Sequence, residues 1–233
     1  MLESHADGAS ARRETRDNAG RRHPCYDDFM SHTGPTNRNP TIERHIEQLR
    51  RTLTRNDPVE RPASDAVKSK AAVLVPLLER KGDLSIVYIR RSDHVESHRG
   101  QVAFPGGRVD PADRTLLDTA LREAREEVGL APEWVEVLGG FSTMSTLTSG
   151  MAVAPFVGLV TREVTFRPDP NEVAEVFEVP LGALSDPRYR GSYEWKREGA
   201  PASSYPAILY GGQIIWGLTL RITERLLEII GAA

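Results

Sequence analysis

A single cysteine, Cys25, stands in a chain of 233 residues. No disulfide can form within the chain, and a reducing, cytoplasmic setting is the expectation. Long apolar runs are absent as well. No stretch reaches the roughly 18 consecutive apolar residues that cross a bilayer as a helix, and the first residues lack the apolar core of a signal peptide. There is no basic excess: the formal charge is −3 at pH 7. That balance gives no electrostatic reason to expect nucleic acid as a partner. Residues 1–38 are poor in large apolar side chains and rich in Arg, Asp, Gly, Ser and His. Such a segment cannot bury enough surface to offset its ordering entropy, so a disordered N-terminal arm is expected there. The remainder, in a chain that is 39% hydrophobic, suffices for one domain of moderate size.

Residues 39–67 read as a helix and a linker. Asn39 has the side chain of an N-cap and Pro40 suits the first helical position. Ile42, Ile46, Leu49 and Leu53 then recur at helical spacing, and Asn56-Asp57-Pro58 ends the run. Residues 68–233 form the expected main domain. Ala71–Leu78 and Leu84–Arg90 flank Glu79-Arg80-Lys81-Gly82-Asp83, a hairpin pattern. Val102–Phe104 is a short strand, Trp134–Gly140 another, and Val153–Val160 a buried strand interrupted by Pro155. Val173–Val179 alternates apolar and acidic residues, and Leu181–Leu184 suggests a helical turn. Residues 190–216 read as two strands around Gly211-Gly212, and Leu218–Ile230 as an amphipathic helix. Strands mixed with a few helices predict an α/β sandwich around a mixed sheet. The apolar faces of Ile42–Leu53 and Leu218–Ile230 suit either a homodimer or packing within one chain.

The residues that promise chemistry begin at Gly106-Gly107. A glycine pair lets backbone approach a phosphate or metal closely, and a helix over 114–130 follows. Leu117, Leu121, Ala124 and Val128 form its apolar stripe, while Glu123, Glu126 and Glu127 gather on the opposite arc. Like charges four residues apart destabilise a helix, so the trio is poorly explained by helix stability. Oxygen donors in this number suit a hard divalent cation such as Mg²⁺ or Mn²⁺. The alternative is a solvated acidic face neutralised by Arg122 and Arg125. The glycine loop and the positive end of the helix dipole favour the first reading.

This stretch resembles the Nudix hydrolase box: G, five residues, E, seven residues, REU, any residue, EE, any residue, GU, with U a bulky apolar residue. Gly107 opens it, Arg122-Glu123-Ala124 fills REU, and Glu126-Glu127, Gly129 and Leu130 close it. Asp113 stands where Glu is usual, and eight residues rather than seven separate it from Arg122. The resemblance extends beyond the box. Arg91-Ser92, Gly100 and Phe104-Pro105-Gly106-Gly107 resemble the upstream signature of the coenzyme A pyrophosphatase subgroup. Asn171–Leu181 and Ile215–Thr219 are similar to that subgroup too. In place of the second arginine of the upstream signature stands Glu96, which would repel phosphate rather than bind it; Arg91, His98 and Arg99 are nearby cations that could compensate.

The resemblance implies a Nudix-type α/β/α sandwich and a metal-dependent pyrophosphatase acting on a small nucleotide substrate. It implies Mg²⁺ or Mn²⁺ on Glu123 and Glu127, with Glu126 and the Gly107 carbonyl completing the cluster. Arg122 would orient these carboxylates, and Asp113 would act on them through water. Glu172 is the candidate general base and Glu175 a supporting carboxylate. Arg91, Arg99, Phe104 and Gly106 would contact substrate. Three functions follow: cleavage of coenzyme A or its thioesters to 3′,5′-ADP and a 4′-phosphopantetheine product, the same chemistry on another nucleotide derivative (ADP-sugar, dinucleotide or damaged nucleotide), or a non-catalytic nucleotide-binding domain.

Overall fold

A computed structural model describes residues 38–56, 71–95, 98–146, 150–196 and 201–232, with side chains described to Leu53 in the first of these spans. Residues 1–37 of the expected disordered arm, Cys25 among them, the linker after Asn56, and Glu96 lie outside the described residues; Arg38, at the arm's end, bonds Glu79 at 3.2 Å.

The first element, α1 (Pro40–Asn56), begins as its sequence suggests: the Asn39 side chain accepts the Thr41 N–H at 3.0 Å. The hairpin follows as β1 (Ala71–Arg80) and β2 (Asp83–Arg91), each longer than the apolar run that predicts it. β3 (Val102–Ala103) and β4 (Gly106–Arg108) are short strands before α2 (Leu116–Val128). A 3₁₀ turn at Pro132–Trp134 leads into β5 (Val135–Gly140), then β6 (Met144–Ser145) and β7 (Ala152–Val160). Pro155 does not interrupt β7; it pairs with Val73 and its carbonyl still accepts the Phe141 N–H at 2.9 Å. β8 (Val173–Pro180) runs into the short α3 (Leu181–Ser185). After it come β9 (Arg190–Lys196), β10 (Ala202–Tyr210), β11 (Gln213–Trp216) and α4 (Gly217–Ile230). The region expected to hold two strands therefore holds three. The third, β9, escapes the eye because five of its seven residues are exposed and it offers no apolar run.

The main sheet runs β3-β2-β1-β7-β5, with β8 on β2, β6 on β7 and β4 on the start of β1. It is mixed: β1 pairs parallel with β7 and antiparallel with β2. Both faces of its central strands are covered, which is why β1 reads as continuous hydrophobicity rather than alternation. Val75 and Leu77 of β1, with Ile86 and Tyr88 of β2, pack against Ile42, Ile46, Leu49 and Leu53 of α1 and Leu226 and Leu227 of α4. Leu74 and Leu78, with Val87 and Ile89, face Leu116, Ala120, Ala124 and Val128 of α2. The α1 helix thus belongs to the same core as the strands beyond residue 68. β9, β10 and β11 form a separate antiparallel sheet.

The apolar stripe of α2 is shifted from the expected one. Leu116, Ala120, Ala124 and Val128 are buried, whereas Leu117 and Leu121 are partly exposed at its margin. Glu127 lies on the buried side.

Candidate active site

Local chemistry fixes α2 at both ends. Thr115 caps it, accepting the Asp118 N–H at 3.0 Å while the Asp118 carboxylate accepts the Thr115 N–H at 3.0 Å, a reciprocal capping box. Gly129 ends it in a left-handed conformation at φ 70°, which a residue without a β-carbon adopts at no steric cost. Between these caps the helix presents Glu123 and Glu127 toward the glycine loop. Gly106 donates its N–H to Glu127 at 2.9 Å. Gly107 is required by closeness: a β-carbon there would collide with the Glu123 carboxylate.

The third wall comes from β2 and β8. Their register shifts between Arg90 and Arg91, so that Arg90 faces Glu175 while Arg91 faces Val173. Such bulges re-aim side chains near sites. Arg91 reaches Glu127 at 3.3 Å, whereas Arg90 reaches Glu175 at 3.4 Å. The loop before β8 is tied to the end of α2, since the Asp169 N–H bonds the Glu127 carbonyl at 3.0 Å. Ser92 donates its N–H to the Glu172 carbonyl at 2.8 Å. These ties set Glu172 beside the helix, and single carboxylate oxygens of Glu123, Glu127 and Glu172 all lie within 4.8 Å of one another.

Three carboxylates this close carry more negative charge than Arg91, which touches Glu127, and Arg122, which touches Glu123 but is shared with Asp113 and Glu126, can balance. Glu127 is only 1% exposed. Burial pushes its carboxyl up to about 8, with Glu123 and Glu172 adding to the rise against the Gly106 N–H and Arg91. Burial also raises Glu123, opposed by the hydrogen bond from Arg122. A divalent cation among hard oxygen donors would supply the missing charge, so the residues present fit one.

Arg122 does not enter this cluster as a charge for substrate. Its guanidinium bonds Asp113 twice, at 3.0 Å each, and also Glu123 and Glu126 at 2.9 Å and the Arg108 carbonyl at 3.1 Å. Asp113 is bonded to Arg122 directly. It further accepts from Thr119 at 2.8 Å and the Asp110 N–H at 2.9 Å. Burial alone would raise the Asp113 carboxyl, but these hydrogen bonds hold it below its usual range. The Asp113 bond, opposed by burial and helped by Glu123, raises the Arg122 guanidinium.

A cavity of about 1010 Å³ opens over the cluster, lined in part by Arg91, Gln101, Phe104, Gly106, Gly107 and Trp216. Glu126 lines it too, but its side chain is 58% exposed and turned to Arg122. Two sequence candidates stand elsewhere. Arg99 is exposed with its guanidinium on the Val95 carbonyl at 2.8 Å, and Glu175 is held by Arg90 and by Gln213 at 2.9 Å. Phe104 is buried and stacks on Tyr88, with ring centroids 5.0 Å apart. Sequence reasoning passed over Thr119 and Gln101, which carry no local signal; Thr119 looks like any helix threonine until Asp113 folds onto it.

The model of the NUDIX domain matches residues 68–198. The Nudix hydrolase NudL of Yersinia pestis (strain Pestoides F) is 44% identical over 164 residues, covering 70% of this chain and 80% of the relative. NudL of Yersinia pseudotuberculosis serotype O:1b matches to the same extent. Among solved structures, an Ap4A hydrolase of C. elegans in a binary complex aligns at 18% identity and a TM-score of 0.42, over 48% of this chain and 80% of that one. The NUDIX domain of Shewanella oneidensis NrtR, complexed with ADP ribose, aligns at 20% identity and a TM-score of 0.40, over 57% and 84%. The family match falls on the strand, glycine loop and helix that build the carboxylate cluster, and with it the chain belongs to the Nudix hydrolases, as a pyrophosphatase of diphosphate-containing substrates.

Proposed function

We propose that the protein hydrolyses the diphosphate of coenzyme A or its thioesters, giving 3′,5′-ADP and a 4′-phosphopantetheine product, with Mg²⁺ or Mn²⁺ as cofactor. The observation that carries this reading is where the upstream signature lies. Arg91 of β2 and Gly106 of β4 both meet Glu127, and all three line the large cavity. Residues that resemble the coenzyme A pyrophosphatase subgroup therefore border the carboxylates rather than lying on a remote surface.

Glu123 and Glu127 would hold the cation, with the Gly107 carbonyl as a further donor, Glu126 within reach by turning from Arg122, and Glu172 free beside them to act on water. A cation there neutralises diphosphate charge and acidifies water. Water attacks one phosphorus, the anhydride P–O bond breaks, and the leaving phosphate oxygen carries away the electron pair. Glu172, exposed at the mouth of the cluster, accepts the proton of the attacking water. Arg91 faces the phosphates from β2 and offsets their charge. Arg122, locked by Asp113, keeps Glu123 in position; it is a positioning residue. Glu175 is committed to Arg90 and Gln213 and has no part in the proposed step.

Product analysis with a panel of nucleoside diphosphate derivatives tests the reading. With Mg²⁺ or Mn²⁺, 3′,5′-ADP should be released from coenzyme A well above the rate for dephospho-coenzyme A, and EDTA should abolish both. Preference for ADP-ribose, dinucleotides or other substrates without the 3′-phosphate would overturn it and point to Glu96 as the mark of a different specificity.

A further inference from the structure

Four aromatic rings gather on one face of the small sheet. Tyr193 pairs with Tyr205 across β9 and β10, Trp195 with Ser203, and Ala207 of β10 with Trp216 of β11. Residues opposite one another share a face, as do residues two apart along a strand, so Tyr193, Trp195, Tyr205 and Trp216 all point the same way. Their rings confirm it: Tyr193, Trp195 and Tyr205 lie 4.9, 5.7 and 5.7 Å from Trp216, centroid to centroid. The other face of the sheet carries Ile208 and Ile215, fully buried in the core that α4 closes. The aromatic face belongs to neither core cluster.

Leu209 extends the aromatic strip and is 42% exposed, the sole exposed large hydrophobic among the described residues. Its partner positions are small or apolar: Ile214 stands opposite on β11, and a β-carbon on Gly191 would come within 2.7 Å of the Leu209 side chain. Beside Leu209 the strip thus carries only small or apolar residues, and Ser203, opposite Trp195, lies at its far end. Trp216 joins it to the catalytic cavity, which it lines together with Leu218 and Thr219. The Thr219 hydroxyl fixes that junction by donating to the Val102 carbonyl at 3.0 Å.

We infer that this aromatic strip, entered at Trp216, is the subsite for the apolar arm of the substrate, taking the acyl chain of a thioester while the diphosphate sits on the carboxylates. The inference rests on the coenzyme A reading and deepens it. An arm leaving the carboxylate cluster passes from charged walls to Trp216 and onto half-buried rings and Leu209. Each methylene laid on apolar surface of this kind strengthens binding. Specificity for chain length then resides in the small sheet, and diphosphate cleavage in the large one.

The test is kcat/KM for coenzyme A and its acetyl, hexanoyl and decanoyl thioesters, read as diphosphate cleavage. In the wild type the value should rise at least about tenfold from acetyl to decanoyl, through a falling KM. Trp195→Ser and, separately, Tyr205→Thr should flatten that rise by about tenfold, with circular dichroism verifying that each folds. Trp134→Ser, which removes a ring outside this strip, should leave the rise intact. A flat dependence in the wild type, or an undiminished rise in both strip variants, would overturn the inference. A flat dependence joined to dimer dissociation in Trp195→Ser would assign the face to a second copy instead. Failure to cleave any coenzyme A species while another diphosphate is cleaved would sink the substrate reading and this inference together, whereas cleavage without chain-length dependence removes only the inference.

Discussion

Asp113 and Glu127 are buried carboxylates attached to the same loop-and-helix unit, and their surroundings differ sharply. Asp113 receives two bonds from Arg122, one from Thr119 and one from a backbone N–H. Glu127 receives one backbone N–H and a longer contact from Arg91, and faces two further carboxylates. The first accepts four hydrogen bonds and has a depressed pKa; the second is pushed up to about 8. A fully matched carboxylate rigidifies what it touches. An unmatched one is costly to the folded state and is explained by a positive partner that arrives from outside.

Substitution should separate these two kinds of carboxylate, most strongly at Glu127. Glu127→Gln keeps an oxygen for the Gly106 N–H but removes the charge, and kcat should fall on the order of 10³-fold, about 4 kcal/mol of barrier. Activity within tenfold of wild type, measured by product release, would place the cation elsewhere. Asp113→Asn should act through Arg122 and lower kcat by about 10- to 100-fold. It should also cost about 1–3 kcal/mol of stability by leaving part of the Arg122 fork unpaired, visible as a lower Tm; a loss of activity without a Tm change would break the distinction drawn between scaffold and site.

A pH series on metal-free protein sharpens the contrast further. Glu127 titrates higher folded than unfolded, so above about pH 4.5 the unfolded chain is charged while the folded one still holds its proton. Its contribution to stability therefore falls as pH rises from about 4.5 to 8 and is level beyond. Asp113 has the opposite sign, and its contribution is lost as pH drops through and below the usual carboxylate range. In EDTA, the Tm of Glu127→Gln relative to wild type should climb between pH 5 and 9, by about 2–4 °C for each kcal/mol. A parallel pair of curves would contradict the buried-charge account. The smallest effects belong to Glu175→Gln and Arg99→Ala, both expected within about threefold of wild-type kcat/KM, since neither side chain meets the cluster and exposed charge contacts contribute little.

What could be read from the sequence was what is local. The glycine pair, the carboxylates at helical spacing and the terminating Gly129 lie within a single loop and helix, and the α1 stripe declares itself by its period. Placement of the remaining groups depends on long-range pairing. Glu172 joins Glu123 and Glu127 only because β8 lies on β2 and Asp169 bonds the end of α2; nothing in its own neighbourhood distinguishes it from Glu175, three residues away. The β2 bulge that sends Arg90 and Arg91 to different partners has no sequence mark either. β9 was missed because an exposed edge strand needs no apolar residues on one face, and its aromatics acquire meaning only from Trp216 across two strand pairings.

The parallel pairing of β1 with β7, together with a core shared by α1 and α4, has a consequence for how the protein is made. Val73 must wait for Pro155, and Ile42 for Leu226, before either is covered. At roughly 5–20 residues per second of synthesis, the apolar face of α1 stays uncovered for many seconds after it leaves the ribosome. Contacts this distant in sequence also slow closure once the chain is complete. The nascent protein is thus expected to be a chaperone client, and to acquire its cation late, when residue 172 has docked beside a helix synthesised some fifty residues earlier.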